Sequence, residues 1–239
     1  MNGLKNKTVL VTGGSKGIGF GIAKVLMREG MRVAITSRDH KRVEQATTNL
    51  SISEEGEVLG IVADVVDYES QQKAVNEVVE KWGKLDVLVA NAGVGNFAPI
   101  TELTLEQWHE TIDTNLTGVF YSVKASLQAL KKSKGYIFTI SSLAGANFFP
   151  TGSAYNASKF GLTGFTQAMM LDLRQDDIKV STIMPGSVAT HFNSHIPSEK
   201  DAWKIQSEDI GELVLDLLKM NPRTLPSKVE VRPSKPPMK

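Results

Sequence analysis

Cysteine is absent from all 239 residues, which excludes disulfides, thiolate nucleophiles and zinc–thiolate sites and argues against an oxidised scaffold. Histidine is scarce, and its four scattered copies make no metal-ligand pattern. Nowhere do about 18 uninterrupted apolar residues occur, so no transmembrane helix is expected. Charge of one sign is missing too: 27 Lys+Arg against 26 Asp+Glu leave a formal net charge of +1, with no basic stripe or acidic tail. Nucleic acid is therefore not the expected partner. The start of the chain is short, polar and basic, and the apolar run after it ends at Gly13 and Gly14. No signal peptide is expected, and the predicted location is the cytoplasm.

What the chain does have is a rhythm. Short β-rich runs at 8–11, 32–36, 58–62 and 85–90 alternate with helical patterns at 18–28, 40–50 and 68–82. In the third helix Val75, Val78, Val79 and Trp82 share one face, and Gly83 is placed to end it. The fourth run is apolar throughout, as a parallel strand covered on both faces requires. A long helix is predicted from Thr104, where Gln107 completes a capping box, towards Lys131. Strands at 136–140, 180–184 and 228–231 and helices at 153–174 and 207–219 complete the pattern. The reading is a single α/β domain over 1–239: a doubly wound, Rossmann-type parallel sheet of seven strands with helices on both faces. A frayed Pro/Lys tail is expected at 233–239. Ligands of such sheets bind beyond the strand C-termini, so the strand-to-helix loops should hold the chemistry.

The first of those loops contains Gly13, Ser15, Lys16, Gly17, Ile18 and Gly19. Its glycines permit close backbone approach to a diphosphate, and the helix that follows offers free N–H groups and a favourable dipole. The spacing is T-G-x-x-x-G-x-G, and the Gly-Lys-Ser/Thr ending of a phosphate-binding P-loop is missing. One strand later, where an NAD site places Asp or Glu against the ribose hydroxyls, the chain has Ser37 followed by Arg38. With Lys16 as a second cation, NADP(H) is the expected cofactor.

Tyr155 and Lys159 stand four apart, on one face of the predicted helix. Alone they are an ordinary surface pair. Free Tyr titrates near pKa ~10, and a nearby ammonium favours phenolate, so the pair predicts a tuned proton donor only if other residues converge on it.

They do so by resemblance. The ordered motifs make the chain resemble the short-chain dehydrogenase/reductase family over essentially its whole length. Gly13 to Gly19 matches the family's glycine loop, Asp64 and Val65 the pair that holds the adenine ring, and Asn91, Ala92 and Gly93 its sheet-stabilising turn. Asn115, Ser142, Tyr155 and Lys159 match the catalytic four; Pro185, Gly186, Val188 and Thr190 fall in the segment that touches the nicotinamide and its phosphates. The resemblance implies Tyr155 as proton donor and Lys159 as its tuning cation, holding the nicotinamide ribose. It implies Ser142 as donor to the substrate oxygen, and Asn115 as the holder of a water that replenishes the proton. Spacing alone leaves Ser141 and Ser142 open; the resemblance selects Ser142.

Substrate contacts are expected from Gly95 and Phe97, from Phe148 and Phe149, and from a loop at about 187–206 that carries Phe192 and Trp203. Their apolar content suits a hydrophobic ketone or aldehyde, and Gly186 is a candidate hinge for loop closure. His191 and His195 are read as solvated or at the pocket rim. Among family members the chain looks most like bacterial 3-oxoacyl-[acyl-carrier-protein] reductases or broad carbonyl reductases, although its end, 225–233, lacks their glycine-rich tail. A homodimer or homotetramer acting on a small carbonyl or alcohol, with an acyl thioester as the alternative, is the expectation. A non-catalytic NADP-binding sensor would predict a broken catalytic set.

Overall fold

The computed structural model describes residues 3–53 and 56–235, so the 236–239 part of the expected tail lies outside the described residues. Seven strands build one sheet: β1 Thr8–Val11, β2 Arg32–Ser37, β3 Val58–Val62, β4 Val87–Ala90, β5 Tyr136–Ile140, β6 Lys179–Pro185 and β7 Lys228–Val231. Every pairing is parallel, in the order β3-β2-β1-β4-β5-β6-β7. The chain winds outward from β1 to β3, then returns to lay β4 on the other flank of β1. That reversal opens a crevice above β1 and β4, the place where such sheets bind ligands.

Helices cover both faces: α1 Gly17–Arg28, α2 His40–Ser53, α3 Tyr68–Trp82, α4 Leu105–Ile112, α5 Gly118–Ser133, α6 Ser153–Asp172 and α7 Ser207–Lys219. Strand residues alternate between two apolar layers. Val9, Val11, Val33 and Ile35 pack with Ile22 and Leu26 of α1, Val43 and Leu50 of α2 and Val214 of α7. Leu10, Ala34, Leu88 and Ile137 pack with Val75 and Val78 of α3, Val119 and Val123 of α5 and Leu162 of α6. Burying each such aliphatic side chain contributes about 1.5–3 kcal/mol, so the sheet is a stiff platform for the loops at its rim.

Local signals act as the sequence reading expects. The Asp67 carboxylate caps α3 by accepting from the Glu69 and Ser70 N–H groups, and Gly83 ends it at φ 79°. The Thr104–Gln107 capping box opens α4. The long helix expected from 104 to 131 is not continuous, however. Between α4 and α5, Asp113–Thr117 forms a π-helical turn in which the Gly118 N–H reaches back to the Asp113 carbonyl. One extra residue in a turn leaves helical residues on both sides, so apolar periodicity passes over it; such turns frequently mark functional sites. This one carries Asn115.

Candidate active site

The glycine loop is bent by two left-handed residues, Gly13 at φ 64° and Gly17 at φ 58°, a region that disfavours a Cβ. It is tied to the loop after β4 by Thr12, whose hydroxyl accepts from the Asn91 and Ala92 N–H groups at 3.0 and 3.1 Å. The Asn91 amide donates in turn to the Thr12 and Gly13 carbonyls at 2.9 and 3.2 Å. Asn91 therefore braces the loop, and Thr12, given no separate role in the sequence reading, is half of that brace. α1 begins after Lys16 with no side-chain cap and no acid in its first turn, unlike α3 and α4. Its first N–H groups are left for a ligand, and a diphosphate suits them. Gly19 is buried under Asn91, and Ser15 and Ile18 are half-buried at the crevice.

At the end of β2, Ser37 is half-buried and its hydroxyl accepts from the Asp39 N–H at 3.2 Å. Asp39, the nearest acid, is engaged with Arg42 through that residue's N–H at 3.1 Å and its Nε at 3.2 Å. Among the described residues no carboxylate is bonded to Ser37 in place of the missing acid. Arg38 is exposed, with its guanidinium 3.9 Å from Glu110 of α4, a neighbour that no sequence spacing reveals. Lys16 is exposed as well and makes no ion pair among the described residues. After β3, the Asp64 carboxylate accepts from the Val66 N–H at 3.2 Å, while Val65 is buried against Gly118.

Asn115 and Lys159 are buried, while Ser142 and Tyr155 are half-buried, and the four converge from three segments. Asn115 clamps the loop after β4: its Oδ1 accepts from the Val94 N–H at 2.8 Å, and its Nδ2 donates to the Val94 carbonyl at 2.9 Å. Nδ2 also donates to Ser158 Oγ at 3.1 Å, joining the π-turn to α6. The Lys159 ammonium donates to the Ile140 carbonyl at 2.9 Å and lies 5.7 Å from the Tyr155 ring centre. The two adjacent serines separate cleanly. The Ser141 hydroxyl points back to the Lys159 carbonyl at 3.2 Å and to Thr163, whereas Ser142 is near enough to the Tyr155 phenol to favour its ionised form and accepts from the Ala144 N–H at 3.1 Å.

The electrostatics correct one expectation. Lys159 was expected to draw the Tyr155 pKa down, but burial pushes the phenol up to about 12, opposed by the nearby Ser142 hydroxyl. Burial likewise pushes the Lys159 ammonium down to about 8. Desolvation penalises the charged form of each and is the leading cause of both shifts.

Two phenylalanines flank the tyrosine and a third packs behind one of them. Phe97 meets Tyr155 edge-on at 5.3 Å between centres, Phe192 lies 5.7 Å from it, and Phe149 packs on Phe97 at 5.9 Å. Gly95 is the floor: a Cβ there would fall 2.5 Å from two Phe192 ring carbons. Phe148 departs from the expected pocket. It is 87% exposed and makes no ring contact with the cluster among the described residues. Trp203 also stays outside it, under the Lys204 ammonium at 5.8 Å. Pro185 accepts from Ser142 Oγ at 3.5 Å, and Thr190 lies over Gly17. Val188 pairs with Ile205 at the base of the 187–206 loop and packs on the core. Gly186 is no free hinge, since its N–H is bonded to the Val231 carbonyl at 2.8 Å and Leu143 packs against it. His191 is exposed, whereas His195 is bound to Asp201 at 2.7 Å. Among the described residues no group of acids and histidines could hold a metal ion, and no helix is long and apolar enough to cross a membrane.

Comparison with known proteins agrees with this geometry. Residues 7–201 match the family model described as short chain dehydrogenase. A trans-4-hydroxycyclohexanecarboxylate dehydrogenase of Sinomonas cyclohexanicum is 34% identical over 223 residues, 88% of this chain and 85% of its own. A 3-oxoacyl-[acyl-carrier-protein] reductase of Synechocystis sp. is 33% identical over 200 residues, covering 83% and 81%. An alcohol dehydrogenase from the archaeon Thermococcus sibiricus, solved in complex with 5-hydroxy-NADP, superposes with a TM-score of 0.91 at 31% identity, over 98% of this chain and 100% of that one. With the family's motifs brought to one crevice and its model matched over most of the length, the chain belongs to the short-chain dehydrogenase/reductase family of oxidoreductases.

Proposed function

We propose that this protein is an NADPH-dependent oxidoreductase that interconverts a hydrophobic ketone or aldehyde and its alcohol, with Tyr155 as the proton donor. The observation that carries the reading is a buried Lys159, 5.7 Å from the Tyr155 ring centre, that has no carboxylate partner among the described residues. A structural lysine would be expected to pair with an acid.

The residues present fit a nicotinamide dinucleotide. The uncapped start of α1 and the bent glycine loop suit its diphosphate, and Arg38 and Lys16, with no acid at Ser37, suit a 2′-phosphate. Asp64 and Val65 would border the adenine, and Pro185, Gly186, Val188 and Thr190 the nicotinamide side. When bound, the cofactor supplies or accepts the hydride at carbon. Ser142 would donate to the substrate oxygen and stabilise charge developing there. Tyr155, a phenol kept protonated at neutral pH, would hand its proton to that oxygen, and the nearby ammonium would stabilise the phenolate left behind. Lys159 would also hold the nicotinamide ribose. Asn115 keeps one carbonyl lone pair free after binding Val94, enough to hold a water beside Lys159 for reprotonation. Phe97, Phe149 and Phe192 would select an apolar substrate.

A dedicated 3-oxoacyl-[acyl-carrier-protein] reductase is the second reading, favoured by the likeness to the Synechocystis protein. The two are separated by following NADPH absorbance against aromatic ketones, α-dicarbonyls, sugar ketones and acetoacetyl thioesters. A thioester rate far above all others would replace the first reading with the second. Tyr155→Phe should keep NADPH affinity yet lose turnover on the order of a thousandfold; retained activity removes the assignment of Tyr155. Phe120 and Phe160, exposed on α5 and α6, support assembly of copies through that face, as a dimer or tetramer that sedimentation would distinguish.

A further inference from the structure

The 187–206 loop is stitched at its base. The Ala189 N–H donates to the Ile205 carbonyl at 2.9 Å, and the Ile205 N–H to the Ser187 carbonyl at 3.1 Å. Beyond that base the chain makes a tight bend with Asn193 in the left-handed region, at φ 52° and ψ 46°. Such a bend is a poor anchor by itself. Yet the bend carries Phe192, the ring that rests on Gly95 and Tyr155.

The anchor lies further along the loop. The Asp201 side chain is 7% exposed, and its carboxylate takes Lys204 Nζ at 2.6 Å on one oxygen and His195 Nε2 at 2.7 Å and the Ser198 N–H at 3.0 Å on the other. Its backbone carbonyl accepts from the Lys204 N–H at 2.9 Å and from Gln206 Nε2 at 3.3 Å. Lys204, Ser198 and His195 together hold the carboxyl well below the usual carboxylate range. From His195 the path to the tyrosine is short: its N–H donates to the Phe192 carbonyl at 3.2 Å, and the Phe192 N–H donates to Thr190 Oγ1 at 3.3 Å. An exposed ion pair adds little, but a covered carboxylate gathering the Lys204 ammonium, the His195 ring and a backbone N–H from both limbs of one loop fixes that loop's shape.

We infer that Asp201 is a positioning residue, a clamp that joins His195 to Lys204 and thereby keeps Phe192 seated over Gly95 and Tyr155 as one wall of the substrate pocket. Asp201 touches neither the tyrosine nor the crevice. It acts through Phe192, and its place in substrate binding rests on the carbonyl-reductase reading, whereas its place in the loop does not.

The test uses the full-length protein and Asp201→Asn, with His195→Gln as a second variant in case the first fails to fold. Amide hydrogen exchange should quicken about tenfold or more over residues 191–204 and stay unchanged in the sheet. NADPH affinity, read by fluorescence, should not move. KM for an aromatic ketone should rise about tenfold with kcat held within about threefold. In a Phe192→Ala background the same substitution should change KM by less than about twofold, since coupled residues are not additive. Unchanged exchange in both variants overturns the clamp, and an equal KM effect with and without Phe192 overturns its action through that ring. A wild type that reduces nothing in the panel removes the carbonyl reading, and the exchange comparison then decides the clamp alone.

Discussion

At the amino ends of the strands, Asp86 is a nearly covered carboxylate held by Lys7 at 2.8 Å, Lys84 at 3.0 Å and the Thr8 N–H at 2.9 Å. At the carboxyl ends, Lys159 is buried with a single carbonyl for company. Both are ionisable groups taken out of water, and they answer that cost oppositely. Burial raises the Asp86 pKa, but Lys7, Thr8 and Lys84 outweigh it and leave the group below its ordinary value. Nothing offsets burial at Lys159, and the group falls from 10.5 to about 8. Asp86 is satisfied by its own chain, whereas Lys159 is left without a counter-charge, which is what the proposed role beside Tyr155 requires.

The contrast breaks most readily at Lys159. Lys159→Met should lower turnover by at least about a hundredfold, because the cation beside Tyr155 is gone. It should also make the protein more stable near neutral pH, by up to roughly 3 kcal/mol, the worth of a fall from 10.5 to about 8. Between those two values the unfolded chain binds the proton that the folded chain has released, so wild-type stability should rise with pH across that interval and the Met variant should show no such rise. Denaturant melts at pH 7 and pH 10 read both effects. A destabilised Lys159→Met would mean that the lysine is structural, and the contrast would fail.

Asp86→Ala tests the other end. Removing one partner of a covered ionic cluster strands two lysines, which are each about four-tenths exposed, so the cost should be about 2–3 kcal/mol rather than the full buried-pair value. KM and kcat should stay within about twofold, since the sheet separates this end from the crevice. Because the folded pKa is depressed, the Asp86 contribution is present above the ordinary carboxylate range and lost as pH falls through the folded value. The variant and the wild type should therefore converge in acid, as thermal melts from pH 7 down to pH 3 would show.

Much of this layout is legible in the residues, and what is not has physical reasons. The strands and most helices follow from period and from end signals such as Asp67 and Gly83, which act within one turn. Tyr155 and Lys159 share a helix face by spacing alone, but Ser142 comes to them from the loop after β5, and only an ordered set of motifs links it to them. The π-turn at Asn115 escapes because one inserted residue leaves both flanks helical. Phe148 and Phe149 are the same residue type side by side in a loop, where no period says which turns inward; exposures of 87% and 42% separate them. Asp201 is hidden for a similar reason, since a carboxylate six residues from His195 matches no regular element. The raised pKa of Tyr155 is not legible in the sequence, because spacing reports the neighbouring ammonium and not the depth of burial.

The smallest effect concerns a charge of the carboxyl end that is mostly exposed. Arg38 is 65% exposed in its side chain and 3.9 Å from Glu110, a pair worth well under about 1 kcal/mol in water. If cations here are kept for a ligand, Arg38→Asp should leave the melting temperature unchanged and move the ratio of NADPH to NADH affinity about tenfold towards NADH, the size of one charge-assisted phosphate contact. Glu110→Gln should shift the same ratio slightly the other way, because it frees the guanidinium from its one ion-pair partner among the described residues. Titrating both cofactors at two salt concentrations checks the cause: the NADPH difference should shrink at high salt while NADH barely responds. An Arg38→Asp protein with its NADPH preference intact would place Arg38 with the structural charges of the sheet, and the division between the two ends would no longer extend to the exposed rim.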